Sequence, residues 1–258
     1  MQDFSEYEGN PDFVLSLARG LTVVEAFEGR PDGATVADLA TATGLSRAAV
    51  RRLLITLETL GYATHTGPVY RLSTRVLRLG FSFLSSYSLA RLAAPLLEEL
   101  SATLHESCSL SVLEGDEILY VARSAAKRVM SVGLSLGSRL PAYCTSMGRV
   151  LLAARPDEEL DAYLKRVPLK AHTPKTIVNR TALGAEIRRV RRQKYSIVDE
   201  ELELGLRALA VPIITRSGRT VAAMNTGVHA SRVSRKELMD RFLPNLQRSA
   251  ALLGQSLG

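Results

Sequence analysis

The chain has 258 residues, of which 46% are hydrophobic, and a formal net charge of +7 at pH 7. This length favours two domains, and the positive charge favours nucleic acid or small anions as partners. Two cysteines, Cys108 and Cys144, exclude a disulfide framework, and no stretch reaches the roughly 18 apolar residues of a membrane span. The acidic, polar N-terminus lacks the pattern of a signal peptide, so we expect a cytoplasmic protein with no membrane partner.

The first predicted helix follows a flexible arm at residues 1–13. Ser16 is the expected N-cap of this helix, and Gly29 is expected to end it. Its apolar residues are expected to face a core, and they are Leu17, Leu21, Val24 and Phe27. This pattern predicts a helix that supports the elements after it.

A helix-turn-helix pattern follows over residues 35–61. Thr35 and Asp38 form a capping box for one helix, Gly44 ends it, and Ser46 caps the next. The second helix repeats its apolar residues at helical spacing, at Val50, Leu53, Leu54, Leu57 and Leu60. Its opposite face is short and basic, as a recognition helix in the major groove requires.

A hairpin follows this helix, with alternating residues 61–65 and 69–73 on either side of a turn, and it resembles a wing. Residues 46–80 contain six arginines and one acid, Glu58, so positive charge is concentrated there. Arginines also occur on ordinary solvated helix faces, and the wing is what favours DNA binding. The candidate DNA-binding residues are Thr35, Ser46, Arg47, Ala48, Arg51, Arg52 and Arg71.

The rest of the chain predicts a helical linker and an α+β domain. The predicted segments are a winged helix-turn-helix domain at 14–73, a linker at 74–106 and a ligand-binding domain at 107–258. In the last domain we expect a hairpin at 108–123, a third strand at 128–132 and a loop at 133–141. Helices and three more strands follow, and an amphipathic helix from Ser234 closes the chain.

Three polar stretches of this domain are candidates for a small-ligand pocket. They are residues 139–148, where Thr145 or Ser146 caps a helix, residues 200–208, and residues 224–227. Free N–H groups at a helix N-terminus attract a carboxylate. A helix cap, an acidic surface turn and a strand end are the structural alternatives.

Enzyme and metal chemistry find little support in the sequence. Cys144 and His172 could form a nucleophile and base, but no third orienting group is evident. The four histidines lack metal-ligand spacing, and no phosphate-binding glycine motif occurs, so we predict no catalytic residue, no metal and no cofactor. The basic run 188–194 is interpreted as a solvated helix face, with contact to DNA flanks or another subunit as the alternative.

Four segments resemble the IclR family of bacterial transcription regulators, in its branch that controls protocatechuate and β-ketoadipate catabolism. They are SLARGLTVVEAFEG, GLSRAAVRRLLITLETLGY, RLPAYCTSMGRVLLA and DEELELGLRALAVPI. The resemblance extends from about residue 14 to the end. It implies a winged helix-turn-helix domain, a helical linker and a GAF-like effector domain. It also implies a homodimer, or a tetramer of two dimers, on palindromic operator DNA.

The resemblance further implies which residues line an effector cavity. They are Val129, Val132, Leu140, Ser146, Met147, Leu206, Ala208, Asn225 and Gly227. A family position that can be acidic is Val198 here, which weakens any direct transfer of the ligand. The branch binds aromatic acids such as protocatechuate or 4-hydroxybenzoate, or β-ketoadipate. Arg123, Arg139 or Arg207 could supply the counter-charge, and the sequence does not choose among them.

We therefore expect an effector-responsive DNA-binding regulator that activates aromatic-acid catabolic genes, and an activator would also contact RNA polymerase. The alternative is a ligand-binding or catalytic α+β protein whose N-terminal helices only dimerise. Sequence-selective, salt-dependent DNA binding distinguishes the two.

Overall fold

A computed structural model describes residues 4, 7, 9–79, 88–125 and 134–257. The chain forms two compact units, residues 1–86 and 87–258. Within the described ranges, no helix is both long and apolar enough to cross a membrane.

In its described residues, the N-terminal unit has three α-helices before a short 3-10 helix at Thr74–Val76, and a small antiparallel sheet. Its elements are α1 (Leu15–Glu25), β1 (Ala34–Thr35), α2 (Val36–Thr43), α3 (Arg47–Thr59), β2 (Ala63–Thr66) and β3 (Val69–Leu72). β3 lies between β1 and β2 in the sheet. The predicted winged helix-turn-helix fold is confirmed, and the short strand β1 is an element that the sequence pattern did not indicate.

Local hydrogen bonds set the ends of α2 and α3 as predicted. The Asp38 amide donates to Thr35 Oγ1 at 3.2 Å, and the Thr35 amide donates to Asp38 Oδ2 at 2.9 Å. Gly44 follows α2 with φ 75°, in the left-handed region that glycine enters without a Cβ penalty. The Ala49 amide donates to Ser46 Oγ at 3.2 Å, so Ser46 caps α3.

The inward face of α1 differs from the predicted one. Leu17 and Leu21 are 61% and 52% exposed, whereas Val23 and Phe27 belong to the core. Gly20 has its closest approach to the Leu53 side chain, so the helix packs through its 20–23–27 face. The prediction is confirmed for Phe27 and wrong for Leu17 and Leu21, because two periodic faces compete in this segment and the small glycine permits the closer approach.

Three local predictions in this unit also need correction. Helix α1 ends at Glu25, with Ala26 as its C-cap, so Gly29 does not end it. Helix α1 begins at Leu15 after Val14, and no side chain caps it, so Ser16 is not its N-cap. Leu60 is 51% exposed, because it lies at the C-terminal end of α3, beyond the residues that pack inward.

The C-terminal unit is built on a six-stranded antiparallel sheet. Its strands are β4 (Ser107–Glu114), β5 (Glu117–Ser124), β6 (Arg139–Pro141), β7 (Ser196–Asp199), β8 (Leu206–Ile214) and β9 (Thr220–His229). Its helices are α4 (Ser88–Leu104), α5 (Ser146–Ala153), α6 (Asp157–Arg166), α7 (Arg180–Gln193) and α8 (Leu243–Ser256). A π-helical turn at Leu238–Phe242 precedes α8. The strand order is β6-β5-β4-β9-β8-β7.

Helices cover both faces of this sheet. One face packs with α4 and α8 around residues such as Leu110, Val211 and Met224. The other packs with α5, α6 and α7 around residues such as Tyr120, Ala210 and Ala223. The predicted α+β class is confirmed, since every strand pairing in the described residues is antiparallel.

The predicted elements after the winged unit agree with the structure in part. The hairpin around Glu114–Glu117 is confirmed, while the predicted third strand at 128–132 lies outside the described residues. Residues 139–141, predicted as a loop, form edge strand β6 against Glu117–Leu119. The helix at 88–104 belongs to the core of the C-terminal unit. The linker at 74–106 as a whole stays a prediction.

Candidate functional site

Helix α3 presents an exposed basic face. Arg47, Ala48, Arg51 and Arg52 are exposed, and the capped N-terminus of α3 lies at the end of the same face. None of these three arginines has an ion pair or side-chain hydrogen bond within the described residues. The one acid of α3, Glu58, lies 2.6 Å from His65 Nδ1 through its Oε1 atom. This face can therefore offer its full positive charge to a polyanion.

The other two predicted DNA-binding residues lie on the small sheet of the same unit. Arg71 is exposed on β3. Thr35 is half-buried, and its hydroxyl donates to Asp38 Oδ2 at 2.7 Å within the capping box. That hydroxyl is already engaged in the cap of α2, whereas the Arg71 guanidinium makes no hydrogen bond or ion pair with the residues that the structure describes.

A cavity in the C-terminal unit gathers all seven described residues of the predicted effector set. Its empty space is about 690 Å³ when the open mouth is included. The gathered residues are Leu140, Ser146, Met147, Leu206, Ala208, Asn225 and Gly227. The other two predicted residues, Val129 and Val132, lie outside the described residues.

The cavity has further lining residues outside the predicted effector set, of which Arg123 was a candidate counter-charge and Cys144, Thr145 and Leu202 lie in the predicted pocket stretches. They are Ser107, Ser109, Tyr120, Arg123, Leu134, Cys144, Thr145, Val198 and Leu202. A sequence pattern could have indicated Ser107 and Ser109. On β4, Ser107, Ser109 and Ser111 alternate with the buried apolar residues Cys108 and Leu110. Small polar residues opposite an apolar face suit a strand that borders a ligand cavity.

Two buried polar atoms at the cavity have no hydrogen-bond partner within the described residues. They are the Oγ atom of Ser146 and the Oδ1 atom of Asn225, and the two residues are 1% and 8% exposed. An unsatisfied buried polar atom costs about 1–3 kcal/mol, so such atoms call for a partner. Polar atoms within a largely apolar lining suit a small ligand that has both an apolar body and polar groups.

The N-terminus of α5 is held firmly at this cavity. Thr145, and not Ser146, is its N-cap, because the Gly148 amide donates to Thr145 Oγ1 at 3.3 Å. A Cβ at position 148 would overlap the backbone of Ala142, so only glycine permits this approach. The sequence left open whether Thr145 or Ser146 caps this helix, and the cap is Thr145. The Ser146 hydroxyl therefore does not cap the helix.

A buried ion pair joins α5 to the loop between β7 and β8. Arg149 is 1% exposed and donates to Glu201 through Nη1 at 2.7 Å and Nη2 at 2.5 Å. The Ile177 amide donates to Glu201 Oε2 at 3.0 Å, which further satisfies the carboxylate. Leu202, the next residue along the loop, lines the cavity. The pair therefore fixes one wall of the cavity.

Two of the three candidate counter-charges are already neutralised. Arg139 pairs with Glu117 and Glu114 at 3.0 Å each, and its pKa is raised first by the hydrogen bond to Glu117. Arg207 pairs with Asp199 through Nε at 2.8 Å. Neither side chain lines the cavity, whereas Arg123 does.

The thiol that could have served as a nucleophile is unsuited to that role. Burial raises the pKa of the Cys144 thiol to about 12, so the thiol stays protonated at neutral pH. The His172 ring lies against Tyr143, with their centroids 6.1 Å apart. Within the described residues, no hydrogen bond joins His172 to Cys144.

Comparison with known proteins places this architecture in one family. Residues 16–67 match the IclR helix-turn-helix domain, and residues 81–254 match the bacterial transcriptional regulator IclR C-terminal domain. The chain is 52% identical over 241 residues to the Pca regulon regulatory protein of Pseudomonas putida, covering 93% of this chain and 83% of that protein.

A second relative and a solved structure agree with this match. The p-hydroxybenzoate hydroxylase transcriptional activator of Acinetobacter baylyi is 38% identical over 251 residues, which cover 95% of this chain and 93% of the relative. The inducer-binding domain of the Acinetobacter PobR transcription factor was solved as a double mutant with 3-hydroxybenzoic acid. It superposes with a TM-score of 0.62 at 35% identity, covering 65% of this chain and 98% of that domain.

These relatives are transcriptional regulators and not enzymes, which removes the catalytic alternative. The chain belongs to the IclR family of bacterial transcriptional regulators, with an IclR helix-turn-helix domain and an IclR C-terminal domain.

Proposed function

We propose that this protein activates aromatic-acid catabolic genes in the cytoplasm when a small aromatic carboxylic acid binds its C-terminal unit. The observation that carries the proposal is the cavity. Seven predicted effector residues line it, and two of them, Ser146 and Asn225, carry a buried polar atom that has no partner in the described residues. A flat ring suits the apolar lining, and hydroxyl or carboxylate groups would satisfy the polar atoms. The effector role of these residues, and of Val129 and Val132, is part of the proposal.

The chemistry of the relatives supports an aromatic acid in particular. One relative is the p-hydroxybenzoate hydroxylase transcriptional activator, and the PobR inducer-binding domain was solved with 3-hydroxybenzoic acid. Among the described residues that line the cavity, Arg123 is the one cation, whereas a polyanionic ligand would need a cluster of them. A monoanion that carries one ring is therefore the best match.

On the DNA side, we assign operator contact to the basic face of α3 and to the wing. Ser46, Arg47, Ala48, Arg51 and Arg52 would lie in the major groove, and Arg71 would reach a phosphate or the minor groove. Thr35, at the start of α2, would contact the phosphate backbone of the DNA. An activator of this kind also contacts RNA polymerase.

The mechanism requires that the effector bind one arrangement of the C-terminal domains more tightly than another. Only such differential affinity can shift a conformational equilibrium, and tight binding alone cannot. The segment at 74–106 would then pass the preference to the two recognition helices of a dimer. Saturating effector that leaves operator affinity, complex geometry and transcription unchanged would contradict this mechanism.

The exposed face of α1 supports assembly of the protein as a homodimer, from which a tetramer could form. Val14, Leu17 and Leu21 are 60%, 61% and 52% exposed, and their i, i+3, i+7 spacing places them on one stripe. A second copy would bury this stripe in a symmetric contact. Leu17→Glu should shift sedimentation equilibrium toward a smaller species, while the exposed Leu252→Glu should not. Equal masses for both variants would contradict the use of this face.

Thermal unfolding with a panel of small acids tests the effector class. The panel contains protocatechuate, 4-hydroxybenzoate, β-ketoadipate and unrelated acids. At one hundred times Kd, a ligand that binds only the native state adds about 2.7 kcal/mol to its apparent stability. We expect a selective increase in Tm with one aromatic acid. The absence of any increase would remove the aromatic-acid proposal and leave the family assignment intact.

A further inference from the structure

Arg123 is the one charged side chain among the described residues that line the cavity. It lies near the end of β5 and is half-buried. The remaining lining is apolar or neutral and polar, so no described carboxylate shares the cavity with it. A guanidinium in such a setting sets the sign of charge that the cavity accepts.

Strand register places Arg123 in one row with two other polar side chains. Arg123 is the direct antiparallel neighbour of Ser109 on β4, and Ser109 is the direct neighbour of Asn225 on β9. Directly opposed residues point to the same face of a sheet. The row therefore crosses three strands along the cavity floor, with a cation on β5 and the unpartnered Asn225 oxygen on β9.

The guanidinium of Arg123 makes no ion pair and no hydrogen bond with any residue in the described part of the chain. The acid near this end of β4, Glu106, already pairs with Arg232. Arg139 and Arg207 have carboxylate partners, as described above. Among the three candidate counter-charges, Arg123 alone keeps its hydrogen-bonding capacity for a ligand.

The polar atoms toward α5 have different chemistry. Asn225 Oδ1 can only accept a hydrogen bond, and the Ser146 hydroxyl is neutral. Thr145 satisfies the Gly148 amide of this helix start, and the acceptor-only Asn225 oxygen is the group that distinguishes a hydroxyl from a carboxylate here. A carboxylate has no proton to donate to an amide oxygen, whereas a phenolic hydroxyl has one. The Asn225 side of the row therefore suits a hydroxyl, and the Arg123 side suits a carboxylate.

We propose that Arg123 is the specificity-determining residue for the effector carboxylate and that Asn225 with Ser146 receives a hydroxyl on the ring. This assignment rests on the proposed function, since it names the orientation of the ligand in the same cavity. It predicts selectivity for hydroxylated aromatic monoacids over their neutral amides. Arg123 acts by charge, so its removal should change selectivity more than fold stability.

The test compares binding of 4-hydroxybenzoate and 4-hydroxybenzamide by calorimetry to the full-length protein. We expect Arg123→Met to weaken acid binding by about 10- to 100-fold, the usual effect of losing a charge-assisted hydrogen bond. Amide binding should weaken less than acid binding, because the amide oxygen can accept a hydrogen bond from Arg123 but makes no ion pair. The matched control is Arg139→Met, which removes an arginine of the same domain outside the cavity and should leave both affinities unchanged.

A second pair of ligands tests the orientation. Asn225→Leu should abolish the preference of the wild type for 4-hydroxybenzoate over benzoate, while the preference for acid over amide remains. If this variant instead loses the acid preference, the orientation is reversed and the inference fails. Thermal unfolding without ligand identifies any variant that has lost its fold, and Asn225→Ser then replaces Asn225→Leu.

The outcomes separate the two proposals. If the wild type binds no aromatic acid, the proposed function and this inference are both overturned. If the wild type binds 4-hydroxybenzoate and Arg123→Met keeps the full preference for acid over amide, only the role of Arg123 is overturned.

Discussion

Two arginine-rich helices of this protein look alike in sequence and differ in what their charges contact. On α3, Arg47, Arg51 and Arg52 have no carboxylate partner in the described part of the chain. On α7, Arg188 pairs with Asp161 at 2.8 Å and Arg189 with Glu186 at 2.7 Å. The number of arginines on a face therefore does not identify a DNA-binding surface. The supply of nearby acids distinguishes the two faces, because each local ion pair leaves less positive charge for outside partners, and on this ground we propose α3 as the DNA-binding face.

Arg191 makes the contrast clearer. It pairs with Asp157 and also donates to the backbone oxygens of Ala153 and Arg155. These bonds tie α7 to the C-terminal end of α5, where carbonyl groups lack partners within the helix. Arginines of the basic run 188–194 thus have partners within the C-terminal unit, and contact of this run with DNA flanks or another subunit stays an untested alternative.

The largest predicted effect is a loss of stability on replacing Arg149, an arginine that is both buried and ion-paired. Arg149→Met leaves Glu201 as a buried charge without its partner, and this should lower the free energy of unfolding by about 3–5 kcal/mol. Urea denaturation followed by circular dichroism measures the loss. In the double variant Arg149→Met/Glu201→Leu both charges are gone, so most of the stability should return. A single variant as stable as the wild type would contradict the role of this pair.

The next effect concerns the unpaired arginines of α3. Replacing Arg51 or Arg52 by Ala should weaken operator binding by about 1–3 kcal/mol for a lost base contact, or lower the salt slope by about one for a lost phosphate contact. Titrations of operator DNA at several salt concentrations measure both. Arg192→Ala is the matched control, since Arg192 is also exposed and lies on α7. Unchanged DNA affinity in both α3 variants would remove the face assignment.

The smallest effect is expected on α7. Arg188→Ala removes an exposed ion pair with Asp161, and such pairs contribute about 0–1 kcal/mol. The Tm should fall slightly and operator affinity should not change. A large loss of DNA binding in this variant would show that the paired arginines are part of the DNA interface after all, which would undo the comparison of the two helices.

The N-terminal unit was largely predictable because its signals are local. A cap, a glycine and a periodic stripe each act within about four residues, as the Thr35–Asp38 box and Gly44 do. The inward face of α1 was the exception. Its orientation depends on which face packs against α3, and the contact between Gly20 and Leu53 is not visible in the local pattern.

The cavity was predictable only in part. The family resemblance predicted its apolar lining residues. The polar stretches around Ser146 and Asn225 were visible in the sequence as interruptions of apolar patterns. The contribution of Ser107, Ser109 and Tyr120 was not visible, because it depends on which strands are neighbours and on which face each residue lies. A one-residue change of register would turn these side chains to the opposite core.

By itself, the sequence determined both ends of α2, the start of α3, the class of the C-terminal domain and the concentration of charge on α3. These depend on short-range hydrogen bonds, periodicity and composition. Only the tertiary structure decided which arginines are free. Arg149 and Glu201 are 52 positions apart, and so are neighbours only after folding. The same holds for Arg123, whose place beside Ser109 and Asn225 results from the pairing of three strands that are distant in the chain.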